Sequence, residues 1–269
     1  MYATSARPFE VPAGVQHHVC DLLDPVAAER LLTTLRPTHL LHLAWFATPG
    51  KFWTAIENVR WVEASLGLAR AFHGVGGQRF VGAGSSAEYD WSTGTCDEST
   101  TPLVPATLYG VSKHAVQAVL GAWGSRTGVS VGWGRLFFLY GPHEHPDRLV
   151  ASVIRALLAK REAACTLGTQ VRDFQHVDDC GGALAALLDS EVRGGVNIAS
   201  GRAVTIAQVV RTVADQLGTS DLLRLGARAH DDPPMITAAV QRLRTEVGWT
   251  DRFDLANGIA GTIEWWRHA

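Results

Sequence analysis

A tyrosine and a lysine four positions apart form the pattern with the clearest chemical use in this sequence. They are Tyr109 and Lys113, in the segment Tyr-Gly-Val-Ser-Lys. Positions i and i+4 lie on one face of a helix, so both heads can converge on one reactant. A free tyrosine with a pKa near ~10 is a poor base at neutral pH, but a nearby ammonium favours the phenolate. The spacing therefore predicts a tyrosine that exchanges a proton with a hydroxyl or carbonyl group. The alternative is a surface pair on a helix, because short motifs often arise by chance.

A serine-rich loop, Gly84-Ser-Ser-Ala-Glu-Tyr89, follows an apolar run upstream of the tyrosine. A serine hydroxyl there can hold the oxygen that Tyr109 protonates, and Ser85 and Ser86 are rivals for that task. The segment Gly82-Ala-Gly-Ser-Ser-Ala87 also fits the phosphate-binding spacing Gly-x-Gly-x-x-Ala. No helical pattern follows it, so we interpret the segment as part of the serine loop.

Short apolar runs alternate with helical patterns around these motifs, which predicts a parallel sheet with crossover helices. The predicted strands of this part are residues 14–20, 39–44, 78–82 and 129–138, and the predicted helices are residues 25–35, 54–72 and 109–123. Farther on, strands are predicted at residues 171–177 and 195–198, and helices at residues 149–159, 178–188, 205–217 and 237–247. The final stretch, residues 255–267, is amphipathic and rich in tryptophan. The aromatic residues Trp45, Phe46, Phe52 and Trp53 follow the second of these strands; they suit either stacking on a sugar or base, or core packing, which we favour.

The composition excludes several classes of protein. Of the 269 residues 46% are hydrophobic and 19% charged, which excludes a disordered chain. With 24 basic and 26 acidic residues there is no basic stripe for nucleic acid or a membrane surface. Four scattered cysteines and an N-terminus without an apolar leader predict a cytoplasmic protein with reduced thiols. The run His143-Glu-His145 lacks metal-ligand spacing, so no metal site is predicted.

Further motifs occur in an order that resembles one family. They are His42-Leu-Ala44, Asn58, Arg135, Leu139-Tyr-Gly-Pro142, Arg172-Asp-Phe-Gln-His-Val-Asp-Asp179 and Asn197-Ile-Ala-Ser-Gly201. With the serine loop and the Tyr-x-x-x-Lys pair, the set resembles the extended short-chain dehydrogenase/reductase family, the NAD-dependent epimerase/dehydratase group that modifies nucleotide sugars. The resemblance implies an α/β fold with a Rossmann-like doubly wound parallel sheet and a smaller C-terminal substrate lobe. It assigns residues 1–142 and 172–198 to the dinucleotide-binding part, and residues 143–171 and 199–269 to the lobe.

The resemblance also implies catalytic roles. Tyr109 would be the general acid/base, Lys113 would bind the nicotinamide ribose and lower the tyrosine pKa, and Ser86 would orient the substrate oxygen. Glu88 stands where sugar dehydratases of the family have a catalytic base. The neighbouring acidic residue of the dehydratase pattern is Ala87 here, which counts against dehydration.

Binding residues follow from the same resemblance. The implied cofactor contacts are Lys113, Asp21, Ser5, Arg7, Leu43, Ala44 and Asn58, and the implied substrate contacts are Ser85, Arg172, His143 and Arg135. Arg172 would clamp the substrate diphosphate, with an ion pair to Asp173 or Asp179 as the alternative. Ser5 and Arg7 would suit a 2′-phosphate, which favours NADP over NAD; an exposed surface arginine is the alternative.

One part of the family pattern is not visible in the sequence. The family begins with a strand and a Gly-x-x-Gly-x-x-Gly turn, whereas residues 1–7 look like the second strand. In the strand order 3-2-1-4-5-6 the first strand is central, so its absence would leave the second and fourth strands without a neighbour. A gene start placed too late, a truncated inactive relative and a sheet closed around the gap are the competing explanations, and we favour the first.

The sequence therefore predicts an NAD(P)-dependent oxidoreductase or epimerase that acts on a nucleotide-activated sugar. The alternative is a truncated family member that binds a nucleotide sugar or a partner without redox turnover. Neither a nucleic acid nor a membrane is an expected partner, and family habit suggests a homodimer.

Overall fold

A computed structural model describes residues 1–229 and 232–269. The helices are α1 (Pro25–Leu35), α2 (Glu57–Gly74), α3 (Leu108–Thr127), α4 (Leu149–Leu158), α5 (Val177–Asp189), α6 (Ile206–Leu217), α7 (Gln241–Thr245) and α8 (Leu255–His268). The strands are β1 (Tyr2–Ser5), β2 (Gln16–Val19), β3 (His39–His42), β4 (Arg79–Ser85), β5 (Thr95–Cys96), β6 (Ser130–Leu136), β7 (Phe138–Tyr140), β8 (Ala163–Ala164), β9 (Val171–His176), β10 (Gly194–Ile198), β11 (Ala203–Thr205), β12 (Leu223–Arg224) and β13 (Met235–Ala238). In the part of the chain described, no helix is long and apolar enough to cross a membrane.

The chain forms two compact units, each assembled from three separate stretches of sequence. The first unit comprises residues 1–84, 105–134 and 187–195, and the second comprises residues 85–104, 135–186 and 196–269. The predicted division of the chain into a dinucleotide-binding part and a substrate lobe stays a prediction.

The four-stranded sheet of the chain has the strand order β10-β6-β4-β3. β3 and β4 pair in parallel, with His39 opposite Arg79 and His42 opposite Gly82. Every residue of β4 is buried, as expected for a parallel strand covered on both faces. Gly82 is required there because a Cβ at this position would lie 2.2 Å from the Trp133 ring. The predicted α/β fold class is confirmed.

Two strands of the first unit have an unfilled side. β1 pairs with β2 in a separate two-stranded sheet, and β4 is the one strand neighbour of β3 among the described residues.

Local signals explain where the helices of this unit begin and end. Asp24 caps α1 by accepting from the amides of Val26 and Ala27, and Pro25 takes the first helical position. The predicted helix 25–35 is confirmed residue for residue. Thr107 caps α3 in the same way, and Gly128 ends it in the left-handed conformation. The helices pack on the sheet through one apolar cluster, which contains Leu32, Leu68, Ala69, Phe72, Phe80, Val116, Leu120 and Trp133.

A buried cation ties the three stretches of the first unit together. Arg79 is 3% exposed and donates from Nη1 to Ser130 Oγ at 2.7 Å. Its Nη2 donates to the carbonyls of Leu187 and Val192 at 2.6 and 2.7 Å. Burial lowers the pKa of this guanidinium. Three neutral acceptors therefore offset the loss of its hydration.

The second unit contains a sheet of order β11-β9-β13-β5, with β7 also pairing with β9. Helices α4, α6 and α8 enclose its apolar cluster, which contains Tyr140, Val150, Ile154, Leu157, Val209, Val213, Ile259 and Ile263. The predicted helix 237–247 is wrong. Residues Met235–Ala238 form a strand paired with β5 and β9, and only Gln241–Thr245 is helical. A short apolar run does not by itself distinguish a strand from a helix, and the strand partners decided the outcome.

Candidate active site

The Tyr109–Lys113 pair lies on the first turns of α3. Thr107 Oγ1 accepts from the amide of Gly110 at 3.1 Å and fixes the start of this helix. The Lys113 side chain is 4% exposed, and its Nζ donates to the carbonyl of Ala83 in β4 at 2.7 Å. The same Nζ lies 6.0 Å from the centroid of the Tyr109 ring. The expectation that both heads share one helix face is confirmed.

An aromatic frame surrounds the pair. The Tyr109 ring meets Phe52 edge-on at a centroid distance of 4.8 Å and Trp53 at 5.8 Å. The Tyr109 amide also donates to the carbonyl of Trp53 at 3.1 Å. Trp45 covers the ammonium, with 3.9 Å between Lys113 Nζ and the centroid of its ring. The predicted core packing of these aromatics does not include their contact with the pair, for which their clustering just after β3 is the one signal in the sequence.

His42, at the end of β3, is a buried neutral histidine beside the lysine. It is 5% exposed, and its Nε2 lies 2.9 Å from Ser65 Oγ. Because Ser65 donates its own proton to the carbonyl of Trp61, the imidazole Nε2 must be the donor of this bond. Burial first, and the Lys113 charge second, lower the pKa of His42 to about 3.

Asn58, a predicted cofactor contact, is engaged in holding the aromatic segment together. Its side chain is fully buried, and its Nδ2 donates to the carbonyls of Phe52 and Ala55 at 2.7 and 2.8 Å. Its Oδ1 accepts from Trp45 Nε1 at 2.8 Å. Two other predicted contacts in this region differ in exposure: Leu43 is 54% exposed, whereas Ala44 is half-buried.

The remaining predicted cofactor contacts lie around β1 and the end of β2. Asp21 is exposed, and its Oδ1 accepts from the amide of Leu23 at 2.9 Å. Ser5 Oγ donates to the carbonyl of Arg7 and lies 2.9 Å from His17 Nε2. Arg7 is exposed.

In the second unit, the serine loop forms a short 3₁₀ turn at Ser86–Glu88. The Ser85 hydroxyl accepts from the amide of Ala87 at 3.2 Å, and the Ser85 amide donates to Glu88 Oε1 at 2.8 Å. These reciprocal bonds form a capping box. The Ser86 carbonyl accepts from Trp91 Nε1 at 2.7 Å. No α-helix follows this turn directly; the next element is a second short 3₁₀ turn at Trp91–Thr93.

Glu88 and Arg135 belong to a buried network in this unit. Arg135 Nε donates to Glu88 Oε2 at 2.9 Å, and Nη1 donates to the Tyr89 hydroxyl at 2.9 Å. Tyr89 donates onward to Asn197 Oδ1 at 2.8 Å. Burial alone would lower the pKa of Arg135, but Glu88 and Tyr89 together raise it. Glu88 is fully buried and Arg135 is 2% exposed, so both side chains are committed to this network.

Arg172 lies on β9 and is 4% exposed. Its Nη1 donates to the carbonyl of Val171 at 2.9 Å, its guanidinium lies 5.3 Å from the Phe138 ring centroid, and burial lowers its pKa. The two acids considered as its ion partners have other contacts. Asp173 accepts from Ser200 and Gly201, and Asp179 accepts from the amides of Arg252 and Phe253.

His143 and Glu144 mark the loop before α4. His143 has a left-handed backbone with φ of 62°, and its ring centroid lies 4.7 Å from that of Trp265. Glu144 Oε2 accepts from the amide of Ala151 in α4 at 3.2 Å. Burial raises the pKa of Glu144 to about 7. Over the described residues, no group of three or more histidine, cysteine or acidic side chains could hold a metal.

Comparison with known proteins identifies relatives over nearly the whole chain. The model of the NAD dependent epimerase/dehydratase family matches residues 2–199. The UDP-glucose 4-epimerase of Azospirillum brasilense is 25% identical, with 99% of this chain and 83% of that protein aligned. The UDP-glucuronic acid decarboxylase 1 of Xenopus tropicalis is also 25% identical, with 98% of this chain aligned; the chain spans 64% of the length of that protein.

Solved structures also match this chain over nearly its whole length. The structure of MoeE5 in complex with UDP-glucose and NAD superposes with a TM-score of 0.82 at 30% identity, covering 99% of this chain and 90% of MoeE5. The UDP-glucose 4-epimerase of Thermotoga maritima, solved with UDP-glucose, superposes with a TM-score of 0.84 at 20% identity over 96% of this chain and 86% of its own. The second likeness shows the shared fold alone.

Proposed function

Because the chain belongs to the NAD-dependent epimerase/dehydratase family, we propose that it is an NAD(P)-dependent oxidoreductase or epimerase of a nucleotide-activated sugar. The observation that carries this proposal is the Tyr109–Lys113 pair, with the ammonium 6.0 Å from the phenol ring on one face of α3. The nucleotide-sugar substrate is supported by MoeE5, which was solved with UDP-glucose at 30% identity to this chain.

In this mechanism Tyr109 moves the proton. The Lys113 ammonium favours the phenolate, so Tyr109 can accept the proton of a sugar hydroxyl and later return it to a carbonyl oxygen. When bound, the nicotinamide of the cofactor supplies the hydride chemistry. Ser86 would orient the sugar oxygen by a hydrogen bond. We choose it over Ser85 because the Ser85 side chain is held in the capping box of its own turn by the amide of Ala87.

Two groups with predicted roles are left out of this mechanism. Glu88 is fully buried and bonded to Arg135 and to the Ser85 amide, which supports a structural role over that of a base. Arg135 is likewise occupied by Glu88 and Tyr89, which counts against its predicted contact with substrate. Arg172 stays the candidate for the substrate diphosphate.

The described residues fit one end of the dinucleotide better than the other. Lys113 has the charge and the hydrogen-bond donors to hold the nicotinamide ribose. A pyrophosphate site of this fold needs a strand, a glycine-rich turn and a helix N-terminus in succession. Within residues 1–229 and 232–269 no such succession occurs, since β4 leads only into the three-residue turn Ser86–Glu88. We therefore assign no residue to the pyrophosphate.

The alternative function makes different demands on these sites. A member of the family that binds a nucleotide sugar without redox turnover would need the sugar site but not the pyrophosphate site. Isothermal titration calorimetry with UDP-glucose, NAD and NADP separates the two. Binding of UDP-glucose without binding of either dinucleotide would support the alternative and contradict the enzyme.

The acid/base role is tested by turnover. The Tyr109→Phe variant keeps the ring and removes the hydroxyl, so activity on the accepted nucleotide sugar should fall by roughly 10²-fold or more. Tyr2→Phe is the matched control because Tyr2 is 49% exposed and lies in β1. Equal activity of wild type and Tyr109→Phe would refute the role.

The preference for NADP rests on Ser5 and Arg7 and is tested separately. Replacing Arg7 by alanine should weaken the binding of NADP and leave that of NAD unchanged, because only NADP carries the 2′-phosphate. An equal effect on both would remove the support for NADP.

A further inference from the structure

The Lys113 ammonium contacts a backbone carbonyl and the face of an indole ring. Its Nζ donates to the Ala83 carbonyl at 2.7 Å, and the face of the Trp45 indole lies 3.9 Å away. The lysine is 4% exposed, so water screens this charge poorly. A cation over an indole face is attracted by the ring quadrupole, and the attraction is strongest where the cation is desolvated.

Trp45 is itself anchored, so its ring face has a defined direction. The indole Nε1 donates to Asn58 Oδ1 at 2.8 Å. The orientation of that amide is set by its two donor bonds to the carbonyls of Phe52 and Ala55. Trp45 also stacks on Trp61, with 6.1 Å between ring centroids and 27° between planes.

The anchor also reaches Tyr109. Phe52, whose carbonyl accepts from Asn58, contacts the Tyr109 ring edge-on at 4.8 Å. Asn58 thus connects Trp45, which covers Lys113, to Phe52, which contacts Tyr109. A displacement of Trp45 would therefore change the surroundings of both Lys113 and Tyr109.

We propose that Trp45 is a positioning residue for Lys113, and that its indole face holds the ammonium beside the Tyr109 ring. The chemical purpose of this contact rests on the proposed function. Its existence can be tested without substrate or cofactor.

The composition of the chain makes a direct test simple. Only three lysines are present, Lys51, Lys113 and Lys160, so selective ¹³C labelling of lysine gives three sets of side-chain NMR signals. Lys51→Arg and Lys160→Arg, both at exposed positions, assign the third set to Lys113. Protons above an indole face are shielded, so the Lys113 ε-protons should resonate upfield of the other two sets. Coincidence of all three sets in the folded wild type would overturn the proposal.

Two variants of Trp45 separate the ring face from the anchor. Trp45→Leu removes the π face, and the upfield shift of Lys113 should disappear. Trp45→Phe keeps a ring but loses the bond to Asn58, and part of the shift should persist. Trp123→Leu is the matched control, because Trp123 lies on the same helix as Lys113 and contacts His73 instead. It should leave the Lys113 signals unchanged; loss of the shift in this variant would overturn the proposal.

Kinetics then link the contact to the reaction. In Trp45→Leu, kcat should fall about tenfold, the rate equivalent of one cation–π contact. The midpoint of the rise in kcat with pH, which reports the ionisation of Tyr109, should move to higher pH. Trp45→Phe should restore part of both effects. An unchanged pH profile in Trp45→Leu would contradict the positioning role. If Tyr109→Phe is fully active while the Lys113 signals are shifted as expected, the proposed function fails and the contact stands.

Discussion

The buried pair of Glu88 and Arg135 allows a structural and a catalytic role for the glutamate to be separated. Each carboxylate oxygen has its own donor: Oε1 accepts from the Ser85 amide at 2.8 Å and Oε2 from Arg135 Nε at 2.9 Å. The Glu88→Gln variant has one oxygen left for two donors. Its amide nitrogen, itself a donor, must face either Arg135 or the backbone amide.

The cost follows from burial. Glu88 is fully buried and Arg135 is 2% exposed, so the substitution leaves an uncompensated charge in a site closed to water. Removing one partner of such a pair costs about 3 kcal/mol or more. Arg135→Met should be comparably destabilising, and the double variant should cost less than the sum of the singles, because each single change strands the other group.

Urea unfolding followed by circular dichroism measures these free energies. The matched control is Glu246→Gln, which breaks an exposed pair with Arg242 and should cost less than about 1 kcal/mol. Equal stability of Glu88→Gln and wild type would refute the structural assignment. A stable Glu88→Gln protein that has lost turnover would instead indicate that Glu88 acts as a base.

Three other predictions follow from burial. Burial raises the pKa of Glu144 to about 7, so the folded protein binds this proton more tightly than the unfolded chain does. The free energy of unfolding should therefore fall as the pH rises from about 4.5 through 7. Urea unfolding midpoints of the Glu144→Gln variant should not show this decrease. His42 shows the opposite sign: burial lowers its pKa to about 3, so stability is lost as pH falls below about 6.5, and its imidazole C2 proton should show no titration by NMR between pH 8 and 4. Gly82→Ala should destabilise the protein by roughly 1–3 kcal/mol, because its Cβ would lie 2.2 Å from the Trp133 ring, whereas Gly121→Ala in α3 meets no atom within 4 Å and should stabilise it; equal melting temperatures for the two variants would contradict this.

Features set by neighbours in sequence were predictable. Tyr109 and Lys113 share a helix face because one helical turn fixes their relation, and no distant residue can change it. The ends of α1 were predictable for the same reason, since Asp24 and Pro25 act on the turn that they begin.

Features set by distant residues were not predictable. The local sequence predicts Trp45 to be a core aromatic, whereas in the folded chain it lies over the Lys113 ammonium. The local sequence makes Glu88 a candidate base, whereas in the folded chain its Oε2 lies 2.9 Å from Arg135 Nε. Residues Met235–Ala238 are a strand because β5 and β9 pair with them, and neither lies nearby in the sequence. In each case a tertiary partner outweighed the local pattern.

The interleaved make-up of the two units has a consequence for the order of events during translation. The first unit needs residues 187–195, yet much of the second unit has already left the ribosome by then. Arg79 emerges early, but two of its acceptors, the carbonyls of Leu187 and Val192, are synthesised more than one hundred residues later. Until they arrive, its guanidinium gains more from water than from burial. The first unit should therefore stay protease-sensitive in the nascent polypeptide until residues 187–195 have emerged, and a fragment that ends before residue 187 should yield no folded first unit.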